Sequence, residues 1–201
     1  MNISLILGHP QPGSLNHAIA ETALATLKAH GHAVYCHDLY AEGFDPILPY
    51  GEMSRDAVLD PSVAQHCDEI ANADGIIVVH PNWWGQPPAV MKGWIDRVIR
   101  PGVAYEFLEG DAGDGVPNGL LRAQAALVFN TSNTPQAREL AAVGDPLEAI
   151  WRRCIFDLCG VTTFYRTMYG CVVTSSPEER QSWLDDVAGT VARHFPARAG
   201  G

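Results

Sequence analysis

Three short segments concentrate the side chains suited to binding or catalysis. The first is GHPQPGSLN, Gly8–Asn16, where a turn rich in glycine and proline precedes a helical pattern. Ser14 and Asn16 offer side-chain donors there, and the backbone amides of Ser14 to His17 point out of the helix start. That geometry favours phosphate, although a plain capped turn would use the same residues. His9 stands on the same rim, where it could meet a phosphate or a bound ring, or serve as a hydrogen-bonded structural residue. The second segment is HPNWWGQPP, His80–Pro88. Its two adjacent tryptophans follow a run of pure strand character, so they could wall in a flat ligand at the end of a buried strand. Neighbouring residues do not easily both face inward. One of Trp83 and Trp84 is therefore expected in the core, and the other at a ligand or subunit contact. The third segment is NTSNTP, Asn130–Pro135. The hydroxyls and amides of Thr131, Ser132, Asn133 and Thr134 suit the carbonyls and ring nitrogens of a polar heterocycle; a capping turn would also explain them.

Other chemistries find little support. The first loop is neither GxGxxG nor GxxxxGK[ST], so a dinucleotide fingerprint and a Walker loop are both poorly matched. No GxSxG elbow occurs, and no Ser-His-acid set can be assigned. The histidines lack HExxH spacing, and Cys36, Cys67, Cys154, Cys159 and Cys171 form no close CxxC pair; no metal site is expected. An odd number of cysteines without close pairing reads as free thiols rather than a disulfide framework. Trp94 is expected to pack. Lys92 and Arg97 read as a solvated face or an inter-subunit pair.

Around these loops the chain alternates between strand and helix patterns. Strands are expected at Asn2–Leu7, His32–Leu39, Gly75–Val79, Ala125–Phe129 and Val161–Met168. Helices are expected from Ser14 to about His30, Ser62–Ala73, Ala89–Val98, Pro146–Cys159, and from Pro177 to about His194, with Ser176 as cap. Tyr40–Asp60 reads as loop with a short helical turn after Met53. Arg100–Leu121 is an excursion, a hairpin or ordered flap, and ARAGG at the end reads as a frayed tail. The strands are short apolar runs without clean alternation, as expected when helices cover both faces. The pattern predicts one α/β domain over residues 1–201, a doubly wound five-stranded parallel sheet. In such a sheet the three polar loops converge at one edge.

Composition bounds the partners. The chain has 201 residues and a formal charge of −10, from 13 basic and 23 acidic residues. That balance disfavours nucleic acid or an anionic membrane as the main partner. No apolar run reaches membrane-spanning length and no secretory signal pattern is visible, so a cytoplasmic protein without membrane insertion is the expectation.

HPQPGSLN and PNWWGQPPAVMKGWIDRV, with PGVAY at Pro101–Tyr105, resemble the flavodoxin-like NAD(P)H:quinone oxidoreductases. These include mammalian quinone reductase and bacterial modulator-of-drug-activity type relatives. FDP at Phe44–Pro46 and CG at Cys159–Gly160 also sit where similar family segments are expected. The resemblance covers most of the chain, about Asn2 to Arg193. It implies a flavodoxin-like fold and a homodimer with the site at the subunit interface. It also implies noncovalent flavin, FAD by the form of SLN with FMN as the alternative, and NADPH or NADH as reductant. Two electrons would pass to a quinone or related small acceptor by ping-pong hydride transfer. By the same resemblance, His9, Ser14, Leu15 and Asn16 would lie along the phosphate and ribityl part. Pro81, Asn82, Trp83 and Trp84 would line the isoalloxazine, and Thr131, Ser132, Asn133 and Thr134 would form the third flavin loop. The chain departs from the pattern at that loop, which is Thr-Thr-Gly-Gly in mammalian quinone reductase. The tyrosine and histidine that follow there have no match in Gln136–Asp145, so no catalytic side chain is assigned. A flavin-binding regulatory subunit of a transport or stress system, and a flavodoxin-like electron carrier, are the alternatives.

Overall fold

The computed structural model describes residues 1–108 and 115–197. The elements run β1 (Asn2–Leu7), α1 (Leu15–Ala29), β2 (Ala33–Asp38), α2 (Pro61–Asn72), β3 (Gly75–Pro81), α3 (Ala89–Val98), β4 (Tyr105–Glu106) and β5 (Asn118–Gly119). They continue as β6 (Ala125–Thr131), α4 (Gln136–Val143), α5 (Pro146–Ala149), a π-helix at Ile150–Asp157, β7 (Thr163–Tyr169) and α6 (Pro177–His194). Five strands form one sheet in the order β2-β1-β3-β6-β7, parallel throughout. This is the doubly wound sheet expected from the sequence, and its order reverses at β1 and β3, where such sheets open a crevice.

Strand pleating divides each buried strand between two cores. Ile77 and Val79 of β3 join Ile3, Leu5, Leu127 and Phe129 beneath α1 and α6, with Val187, Val191 and Phe195 completing that layer. Ile76 and Val78 face the other way, with Ile6 and Val128, against α2, α3 and the π-helix. Trp94 is buried in that second core, as expected. Gly93 in α3 permits a close approach that the FDP segment requires: a Cβ there would lie 2.1 Å from the Pro46 carbonyl oxygen. No helix among the described residues is long and apolar enough to cross a membrane.

Several sequence expectations need correction. β3 and β6 each extend two residues further, so His80, Pro81, Asn130 and Thr131 end strands rather than begin loops. The helical turn expected after Met53 lies before it, as a 3-10 turn at Tyr50–Glu52. The helix expected over Pro146–Cys159 is a single α turn continued by the π-helix. Gln136–Val143, left without an element, is α4, stopped by Gly144 at φ 73°. Its apolar residues Leu140 and Val143 are exposed, so it lacks the buried stripe that betrays a helix in sequence. Arg97 does not lie on a solvated face. It is buried, and it forms a 2.7 Å ion pair with Glu52. Within the excursion, β4 and β5 pair as an antiparallel hairpin base. Residues 109–114 of the excursion, and residues 198–201 of the expected frayed tail ARAGG, lie outside the described residues.

Candidate active site

A cleft of about 880 Å³ opens at the carboxyl ends of β1, β3, β6 and β7, within the size range of small-molecule sites. All three predicted loops border it, and every one of the twelve residues singled out from sequence lines it. Residues that sequence reading missed complete the wall: Gln11, Arg138, Glu139, Val143, Val172 and Arg180. Arg138 and Glu139 arrive on α4, the overlooked helix. Arg180 comes from the first turns of α6, held by bonds from Nε to Ser175 Oγ at 2.8 Å and from Nη2 to the Val172 carbonyl at 3.1 Å.

The first loop is anchored where Gly8 donates to the Val79 carbonyl. Ser14 caps α1, its Oγ accepting from the His17 amide at 3.4 Å. The same Oγ lies 2.8 Å from His17 Nδ1, and His17 Nε2 lies 3.0 Å from Asp38 Oδ2. A Ser-His-acid chain is therefore present, contrary to the sequence reading; Asp38 was invisible as its third member because it ends a different strand. His9 accepts from the Gln11 amide at Nδ1, and partial burial lowers its pKa, which favours the neutral ring. Asn16 is buried, and its Nδ2 donates to Thr131 Oγ1 at 2.8 Å. Its Oδ1 is buried without a partner.

The second loop is a tight hairpin. Trp83 and Gln86 exchange both backbone hydrogen bonds at 3.0 Å. Trp84 and Gly85 form its tip with φ 59° and 71°, the positive pair of a type I′ turn. A Cβ at Gly85 would lie 2.7 Å from Pro146 Cγ. This turn overrides the expectation of one buried tryptophan: Trp83 is 41% and Trp84 99% exposed. Asn82 knits the loop to its surroundings. Its amide donates to the Thr131 carbonyl, its Oδ1 accepts from the Gly85 amide, and its Nδ2 donates to Glu139 Oε1 at 2.5 Å. The third loop is held by the Ser132 amide on the Tyr169 carbonyl. Thr134 donates its amide to Ser132 Oγ, and Asn133 Oδ1 accepts from the Val173 amide.

Residues 1–191 match the family described as having a flavodoxin-like fold. The chain belongs to this flavodoxin-like family. It is 29% identical over 190 residues to an uncharacterized NAD(P)H oxidoreductase of Haemophilus influenzae, covering 92% of this chain and 91% of that protein. It is 26% identical over 205 residues to ribosyldihydronicotinamide dehydrogenase [quinone] of Rattus norvegicus, covering 90% and 87%. Among solved structures, that of Smu.1420 from Streptococcus mutans UA159 superposes with a TM-score of 0.83 at 30% identity, over 96% of this chain and all of that one.

Beneath this flavodoxin-like cleft lies a buried polar network. His80 Nδ1 donates to the Pro81 carbonyl at 2.8 Å, which makes Nε2 the acceptor for Trp151 Nε1 and Asn130 Nδ2, both at 2.9 Å. Complete burial holds the His80 imidazole down at about 4, so it is neutral. Asn130 Oδ1 accepts from Arg166 Nε at 2.6 Å, and Arg166 Nη1 pairs with Asp145 at 2.8 Å. Strand ends, the π-helix and the start of α5 are thus locked together behind Pro81 and Thr131. A second cluster, His37, Glu42 and His66, has the spacing of a cation site. Its protonation does not suit one: Trp94 Nε1 donates to His66 Nδ1 at 3.1 Å, leaving the hydrogen on Nε2, which faces Glu42 at 3.5 Å as a donor.

Proposed function

We propose that this protein is a flavin-dependent NAD(P)H oxidoreductase that passes two electrons to quinones or related small acceptors. The observation that carries the reading is Asn16. It joins the helix-start loop to the third loop through Thr131, it lines the cleft, and its Oδ1 is a buried acceptor without a partner. Such an acceptor is costly unless a ligand donor meets it, and a ribityl hydroxyl is a donor of the right kind.

The rest of the wall fits the same group. The start of α1 presents amides and positive dipole to a phosphate, with Arg138 and Arg180 adding charge in an otherwise acidic chain. Trp83 offers a half-exposed ring, and Thr131–Thr134 offers backbone and hydroxyl partners for a polar heterocycle. Bound flavin supplies two-electron hydride chemistry; the chain's own part is to orient it, exclude water and supply polar contacts. The reach of the cleft to Val172 and Arg180 supports FAD, with FMN the alternative. NADPH or NADH and the acceptor would use the open face in turn, the ping-pong order. The exposed Trp84 and Val143 on the rim support a homodimer in which a second copy closes the site, because apolar surface beside a cleft marks an interface.

The test is to purify the protein natively, release any cofactor by denaturation and identify it by chromatography. NADPH and NADH oxidation is then followed with menadione and benzoquinone. Bound flavin and turnover are expected. A colourless protein that takes up neither FAD nor FMN overturns the reading, and flavin uptake without turnover over a broad acceptor panel replaces it with a regulatory role.

A further inference from the structure

We propose that Ser14, His17 and Asp38 form a proton-linked phosphate contact, in which His17 takes up a proton when a phosphate-bearing ligand binds at the start of α1. The inference rests on the flavin reading above and adds a regulation to it.

The hydrogen bonds decide what Ser14 can offer. Asp38 Oδ1 accepts from the amides of Tyr40 and Ala41 at 3.1 and 3.2 Å, and its Oδ2 faces His17 Nε2 at 3.0 Å. A carboxylate only accepts, so His17 Nε2 carries a hydrogen. In the neutral imidazole Nδ1 is then a bare acceptor, and the nearest donor is the Ser14 hydroxyl at 2.8 Å. The hydroxyl hydrogen is committed inward. Ser14 already accepts the His17 amide, and what remains toward the cleft is an oxygen lone pair, which repels a phosphate oxygen.

One proton from solvent onto His17 Nδ1 reverses this. Nδ1–H then donates to Ser14 Oγ, the hydroxyl hydrogen is released, and Ser14 becomes a donor to the phosphate. No covalent bond other than the new N–H changes. The charged groups around the ring are set for such a switch. Asp38, from the end of β2, stabilises the cation. His9, from the loop after β1, has its ring centroid 6.2 Å away; burial first, and the His17 charge as well, lower its pKa, so His9 yields its proton in favour of His17. On α1 itself, Glu21 follows one turn later. The positive end of α1 opposes protonation until an anion is bound, which is why the two events would be coupled.

Linkage makes the sign definite. A ligand that prefers protonated His17 binds more tightly as pH falls, by up to about tenfold per pH unit within the histidine's titration range. FAD is the proper probe, because its pyrophosphate lacks the ~6 titration of a phosphomonoester. Riboflavin, which has no phosphate, is the control. Binding of each to the flavin-stripped full chain is measured by fluorescence at a series of pH values between about 6 and 8.5. The NMR titration of the His17 ring is followed with and without saturating FAD. The proposal expects FAD affinity to fall several-fold or more across this range, riboflavin affinity to stay flat, and the His17 titration to move upward on FAD binding only. His17→Gln should flatten the FAD profile. Tight FAD binding with no pH dependence, or a His17 titration indifferent to FAD, overturns the coupling and leaves the flavin reading intact. Failure of both flavins to bind at any pH overturns both.

Discussion

Asn16 and Thr131 lie 115 residues apart and meet through a 2.8 Å hydrogen bond from Nδ2 to Oγ1. The bond spans β3, since α1 follows β1, and Thr131 ends β6 on the far side. It fastens the phosphate-type loop to the heterocycle-type loop and sets the width of the cleft between them.

Asn16→Ala should therefore weaken FAD binding by about tenfold or more, the ~1.4 kcal/mol equivalent of losing one or two ligand hydrogen bonds and their positioning. Fluorescence titration reads this directly. Unchanged affinity would show that Asn16 does not face the ligand.

The hairpin tip carries a second expectation. Trp84 sits at φ 59° and is almost wholly exposed, so its conformation costs about 1–2 kcal/mol that a glycine would not pay. Trp84→Gly should raise the thermal midpoint, while Gly85→Ala, driven into Pro146 Cγ at 2.7 Å, should lower it. A melting midpoint that falls in Trp84→Gly would mean that the ring packs on something outside the single chain, such as a second subunit.

Glu52 and Arg97 form a buried pair at 2.7 Å. The Arg97 hydrogen bond holds the Glu52 carboxyl below its ordinary value of 4.5. The folded value being depressed, the contribution to stability is present above the unfolded value and is lost as pH falls through the folded one. Glu52→Ala should cost about 3–5 kcal/mol near neutral pH, because it strands a buried guanidinium. Glu52→Gln should flatten the stability profile below the ordinary carboxylate value. Urea unfolding at several pH values checks both.

His80 behaves in the opposite sense to a stabilising cation. Its folded value is about 4 against an ordinary 6.5, so the unfolded chain takes up the proton first. Stability should decline as pH drops from 6.5 toward 4, by at most about 1.4 kcal/mol per unit for this group. His80→Gln should remove one proton from the slope. An unaltered slope in a folded variant would show that His80 is not held neutral.

The doubly wound sheet was legible because buried parallel strands read as unbroken apolar runs, such as Gly75–Val79, and helices as 3.6-residue stripes. The loops were legible because Gly, Pro, Trp and hydroxyl residues cluster at strand ends. α4 was not, since Leu140 and Val143 face outward, and with it Arg138 and Glu139 were lost from the site. Both tryptophans proved exposed because the turn's paired positive φ angles, absent from any residue count, decide where their side chains go.

The α/β alternation, the three loops and the residue types that suit a phosphate and a flat polar ring follow from local propensity and periodicity, so the order of the residues carries them. Which distant groups meet depends instead on the folded chain as a whole. The parallel register that sets Leu7 opposite Asp38 brings that carboxylate to His17. The pairing of Pro81 with Thr131 joins the second loop to the third. Such contacts follow from strand order and register, which the packing of the whole chain selects and no local stretch of residues encodes.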